Sequence, residues 1–261
     1  MILSLMLAAP LAAPLTAQDP ATPRLATAQA QLDRAKEVKK ESRGTKGAAR
    51  VAALDRACAA FGAVMEYWPE QGALTAEAAF RQGEIHRTLG RGGQAAGAFL
   101  VAVEQGAGTS FGVRGQLEIG HVHRRAGEFP KAIEAYSAVL DMPAASVRHL
   151  NDAREWTGKA HFELEDWPAA AKAFRAWGDD AEGPAELVKA ADLEARALLR
   201  AGQLAQARAR LSEVTAQAED LAAEPSKEGT AVRKALDRMK APEELSAAEA
   251  VAAAATPPVL G

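Results

Sequence analysis

His121-Val122-His123, together with His86 and His161, is the group of side chains whose type could hold a transition metal. Zinc needs all its ligands about 2 Å from one ion, and residues two apart on a helix point to different faces. Cys58 is the only thiol. It stands among small residues with no base in its neighbourhood, so it reads as a packed apolar side chain. Gly90-Arg91-Gly92-Gly93 has the glycine content of a phosphate loop, but no strand is expected before it and no Lys-Ser/Thr follows. The carboxylate pairs Glu163/Glu165 and Asp179/Asp180 fall at turns and helix ends, where solvated surface is the default. No Ser-His-Asp or Cys-His grouping carries a local signature. The sequence therefore predicts no enzyme, no cofactor and no metal centre. What stands out is aromatic. Trp156, Phe162, Trp167, Phe174 and Trp177 crowd one stretch of a chain with 5% aromatics. Phe174 and Trp177 read as core, while Trp156 and Phe162 are candidates for contact with a partner.

The elements that position these residues are helices in a repeat. Gly83, Gly120, Gly158 and Ala195 share a register; Gly90, Gly127, Glu165 and Gly202 follow seven residues on. Ala95, Ala132, Ala170 and Ala207 come five further, and Phe99, Tyr136, Phe174 and Leu211 four further again. Consecutive copies are 37, 38 and 37 residues apart, and Ala57, Phe61 and Pro69 mark the second half of an earlier copy. The small first residue lets two helices approach closely. The glycine ends the first helix in a left-handed cap, and the aromatic lies one turn beyond the alanine on the core face. Each unit is a helical hairpin that buries its apolar face only by stacking on the next. His86, His123 and His161 occupy one repeat position. Equivalent slots lie on the order of 10 Å or more apart, so these three cannot share an ion.

Small residue, glycine, alanine and aromatic at repeat positions 8, 15, 20 and 24 resemble the tetratricopeptide repeat (TPR) family over residues 38–220. The clearest copy runs from Leu117 through Gly120, Gly127 and Ala132 to Tyr136. The family period is shorter, so the extra residues are placed late in the second helices or between units. The family's aromatic at position 4 is replaced by Ala79, Gln116, Arg154 and Ala191. In style the units, from Tyr67-Trp68-Pro69 to Phe99, are similar to exported TPR proteins of bacterial envelopes. The resemblance implies an all-α, right-handed superhelical solenoid of about five units plus a C-terminal capping helix. It also implies a concave groove lined by first helices at positions 2, 5, 9, 12 and 13. Those positions are Phe80, Glu84 and Arg87; Arg114, Leu117, His121, Arg124 and Arg125; Glu155, Lys159 and Phe162; and Asp192, Arg196, Leu199 and Arg200. The groove would be charged, with an apolar thread of Phe80, Leu117, Phe162 and Leu199, suited to a peptide carrying acidic segments.

The flanks complete the organisation. Met1 to Leu15 is apolar except for Ser4, and Thr16-Ala17 precedes polar Gln18-Asp19-Pro20. This is the shape of a secretory signal over 1–17, followed by a linker over 18–24, and it predicts export to the periplasm or beyond. No basic residue precedes Arg24, which leaves open an uncleaved segment or an upstream start. The run is too short and too proline-broken to span a bilayer, so no transmembrane domain is expected. Residues 25–43 form an amphipathic helix, broken by Ser42-Arg43-Gly44-Thr45-Lys46-Gly47; it opens the first hairpin or, alternatively, pairs chains as a coiled coil. The repeat domain extends over 25–240, closed by a helix over 229–240, and 241–261 reads as a flexible Ala/Pro-rich tail. The 31 basic and 34 acidic residues give a net charge of −3, which argues against a nucleic-acid partner. One cysteine excludes an internal disulfide. The expected function is a non-catalytic scaffold for a protein or peptide partner, in the assembly or coordination of an envelope complex. The alternatives are a self-assembling structural homo-oligomer and a cell-wall-binding module using the tryptophan-rich unit.

Overall fold

The computed structural model describes residues 22–255, and the signal-like segment and residues 256–261 lie outside them. Twelve helices and no strand occur among the described residues. α1 (Ala28–Glu41) and α2 (Gly47–Tyr67) form the first hairpin, with the predicted break at Ser42 between them. α3 (Gly72–Thr88) and α4 (Gly92–Gln105), α5 (Ser110–Arg125) and α6 (Phe129–Val139), and α7 (Val147–Glu163) and α8 (Trp167–Asp179) are the next three. α9 (Pro184–Arg200) and α10 (Leu204–Ala223) make the fifth, followed by α11 (Lys227–Leu236) and α12 (Ala241–Ala255). Each helix from α1 to α11 packs on its sequence neighbour, α12 packs on α9 and α10 instead, and first helices α1, α3, α5 and α7 also touch in series, as in a superhelical TPR-type solenoid. Among the described residues no helix is long and apolar enough to cross a membrane.

The repeat markers do the physical work their types allow. Gly90, Gly127 and Gly202 end first helices with φ of 72°, 75° and 75°. Glu165, the one copy without glycine, takes the same left-handed conformation at φ 58°. The register thus imposes the turn even on a side chain that disfavours it. Position 8 is set by position 24. A Cβ on Gly83 or Gly158 would stand 2.5 Å from the ring of Phe99 or Phe174, and one on Gly120 would strike Tyr136. In the fifth unit the volumes are exchanged: Ala195 and Leu211 are buried in one cluster. The added residues of the long period fall where expected, in α2, in α10 and in links such as 140–146 between α6 and α7.

The C-terminal boundary needs correction. Residues 241–255 are a helix, not a flexible tail. α11 covers the half of the last hairpin around Val188, Ala191, Val214 and Ala218. α12 continues over the other half, where Ala241 is fully buried among Ala195, Leu198, Ala207 and Leu211 and Leu245 packs beside it. Alanine has the highest intrinsic helix propensity, and Pro242 falls in the first turn, where its missing N–H costs nothing. The missing cap comes from elsewhere. Asp192 Oδ1 on α9 accepts the backbone N–H groups of Lys240 and Ala241 at 2.7 and 2.8 Å.

Candidate functional site

The first helices place their outward residues side by side, and charge neutralises charge along most of that wall. Lys36 meets Glu77 at 3.1 Å, Lys39 and Arg81 meet Glu84 at 3.4 and 3.0 Å, and Arg87 meets Glu118 at 2.8 Å. Arg114 lies 4.2 Å above the Phe80 ring and 5.6 Å from Phe111. Burial raises the Glu118 carboxyl above its ordinary pKa, against the pull of Arg87 and Arg125.

The wall changes character between α5 and α7. The Trp156 ring carries the Arg124 guanidinium at 4.5 Å and the Lys159 ammonium at 4.2 Å, and His121 meets its edge at 5.0 Å. His121 Nδ1 lies 2.7 Å from the Tyr136 hydroxyl, itself on a buried ring. Burial, with Arg125, Arg124, Arg87 and Lys159 around it, lowers the His121 pKa to about 4. The ring is therefore neutral at pH 7 inside a cationic setting. Burial pushes the Tyr136 phenol up to about 12. Lys159 pairs with Glu155. Arg125 is exposed and forms no ion pair among the described residues, and the buried Nε of Arg124 has no hydrogen-bond partner. Half-buried aromatic area stacked by a guanidinium is a surface suited to a carboxylate and an adjacent apolar group.

Several groove residues are placed otherwise by the packing. Phe80 and Leu117 are 1% and 7% exposed, so they belong to the core and not to an apolar thread. Phe80 packs on Phe99 and Phe111, and Leu117 packs in the cluster of Tyr136. Asp192 is buried by its bonds to the start of α12. Arg196 is held by Glu244 of α12 at 2.9 Å and lies 5.9 Å from the Phe162 ring, which packs on Trp167 at 4.8 Å. Leu199 is half-buried beside the same cluster, and Arg200 is exposed. Phe111, Arg81, Glu118, Trp167 and Glu244 were not read from the sequence as part of this wall. Phe111 precedes the first lining position, and Glu244 lies on a helix that composition alone does not assign.

A cavity of about 480 Å³ opens between α7, α9 and α11, lined by Asp152, Glu155, Glu186, Glu228, Arg148 and Lys189, among others. The acidic residues predominate there. Burial, with Glu155 beside it, raises the Asp152 pKa. The end of α5 is thus basic, and the cavity at the starts of α7 and α9 is acidic.

The histidines are dispersed over separate partners. His123 meets Glu128 at 2.6 Å, His161 meets Asp166 at 3.3 Å, and His86 lies 3.9 Å from Cys58 Sγ. Burial, followed by Asp55, raises the Cys58 thiol to about 12, which removes its nucleophilic character at neutral pH. Among the described residues no three His, Cys, Asp or Glu side chains are grouped to hold a metal.

The hairpin register, the left-handed turns and the stacked first helices define a helical-repeat fold of the TPR type. The fold is similar to that of MamA, with a TM-score of 0.57 and 15% identity over 76% of this chain and 97% of that one. It is also similar to BtubC from P. vanneervenii (TM-score 0.51, 12% identity, 77% and 94% covered). A kinesin light chain with nearly identical TPR-like repeats from Podosopora anserina matches at TM-score 0.52 and 13% identity, with 75% and 99% covered. No protein-family model matches the chain, and no curated protein matches it.

Proposed function

We propose that this protein is a non-catalytic scaffold that holds a protein partner on the α5–α7 stretch of its concave wall. One observation carries the reading: Trp156 is stacked by Arg124 and Lys159, and Arg125, next to Arg124 at the end of α5, is exposed and forms no ion pair among the described residues. A carboxylate on the partner would compensate the guanidinium groups, and an apolar neighbour would cover the indole. In this reading the partner segment is acidic and meets the wall at one platform and not along a continuous thread. The signal-like shape of residues 1–17 supports a role outside the cytoplasm, in the assembly or coordination of an envelope complex.

In-cell crosslinking of a C-terminally tagged chain, with mass spectrometry of captured proteins and of the bait's own N-terminal peptide, tests both parts. Specific envelope partners crosslinked at α5 and α7, and a bait beginning near Gln18, are expected. Arg124→Glu with Arg125→Glu should reduce capture at least tenfold while the circular dichroism spectrum stays helical. Unchanged capture would sink the platform reading, and a bait retaining Met1 with cytoplasmic partners would sink the export reading.

A further inference from the structure

The last hairpin carries a helix on it whose attachment is built unlike the others. Among its described side chains α12 buries only Ala241 completely; Glu244, Leu245, Ala248 and Glu249 are half-buried, and Val251 is 71% exposed. Its hold is polar and specific. Asp192 receives the first free N–H groups, Arg196 takes Glu244 at 2.9 Å, and Arg208 takes Glu249 at 2.5 Å. A carboxylate at a helix N-terminus satisfies orphan donors and complements the positive end of the helix dipole. These three groups therefore read a helix start, a carboxylate one turn in and a second carboxylate further along. Leu198, Leu199, Ala207 and Leu211 supply the apolar floor.

We propose that the second half of α9 with the start of α10 is a separate docking seat for an acidic, alanine-rich helix, and that α12 is its resident, displaceable occupant. The contact is thin enough to exchange. An alanine-rich segment also keeps helical propensity when released. The short link at residues 237–240 keeps α12 at an effective concentration on the order of millimolar, so an outside helix of equal affinity at micromolar concentration is excluded until α12 leaves. Release would uncover Asp192 and Arg196 and leave Arg208, already exposed, without its carboxylate. The proposal does not rest on the α5–α7 platform, whose residues are untouched in its test.

The probe is a fluorescent synthetic peptide of residues 238–255, titrated against the full chain and against the full-chain variant Glu244→Lys/Glu249→Lys. Hydrogen exchange of the α12 amides is read in both, and helicity by circular dichroism confirms that the variant is folded. In the variant, α12 amides are expected to exchange at least tenfold faster, and the peptide to bind at least tenfold tighter than to the unaltered chain. Adding Arg196→Glu should remove that gain. Asp192→Asn, which keeps the shape of the seat, gives a second route to the same release. Amides that stay protected in both variants would show that these contacts do not hold α12. Freed amides without a gain in peptide binding would show that the surface beneath is no ligand seat. Either result overturns the proposal.

Discussion

The α5–α7 platform and the α9–α10 end use the same repeat position in different ways. At position 9, His121 is neutral and bonded to Tyr136, Lys159 lies over Trp156, and Arg196 is tied to Glu244. The first two lie against the Trp156 ring, whereas the third is paired with the chain's own acidic helix. The difference teaches that a lining position in a helical repeat is available only if no later element is seated on it. Glu84, at position 9 of α3, is closed differently, by ion pairs with Lys39, Arg81 and Arg114 on neighbouring first helices and its own.

The comparison can be broken most strongly from beneath the platform. Tyr136→Ala removes a fully buried ring and the partner of His121, and should cost about 3–5 kcal/mol, measured by the urea midpoint. It should disorder α5–α7 while leaving α12 protected. Next comes acid. Because the folded His121 pKa, about 4, lies below the unfolded value near 6.5, the folded state loses stability as pH falls from about 6.5 towards 4. The stability that this histidine contributes is full above pH 6.5, and the loss should reach at most about 3 kcal/mol. A His121→Phe chain should show a flatter stability curve across that window.

The covered end should respond locally. Asp192→Ala removes the cap of α12, worth about 1 kcal/mol for a helix N-cap, so α12 amides should exchange several-fold faster while the global urea midpoint barely moves. Smallest is Arg208→Ala. Its side chain is 63% exposed, so its pair with Glu249 should be worth under about 0.5 kcal/mol and speed α12 exchange less than threefold. If Arg208→Ala freed α12 as fully as Asp192→Ala, the cap would not be the main hold and the comparison would need redrawing.

Much of the architecture was legible because it is periodic and local. The spacing of Gly83, Gly90, Ala95 and Phe99, repeated to Leu211, prescribes a hairpin, a left-handed turn and a close helix crossing in every copy. The turn survives even where Glu165 replaces glycine. The candidate platform was half legible: Trp156, Arg124, Arg125, Lys159 and His121 were all identified, but the groove positions did not distinguish them from Phe80 and Leu117. Whether an outward position is open depends on the neighbouring helix. Phe111 and Arg114 cover Phe80, and they lie some thirty residues away in sequence.

The sequence by itself therefore determined the helices, their register and their stacking, since these follow from residue volumes and backbone preferences within one repeat. Only the tertiary structure decided which lining residues face solvent, and that residues 241–255 are a seated helix. Its cap, Asp192, is 48 residues before Lys240, and its carboxylates find Arg196 and Arg208 at comparable separations. No local pattern encodes such contacts, because they exist only once the last hairpin has brought those groups to one surface.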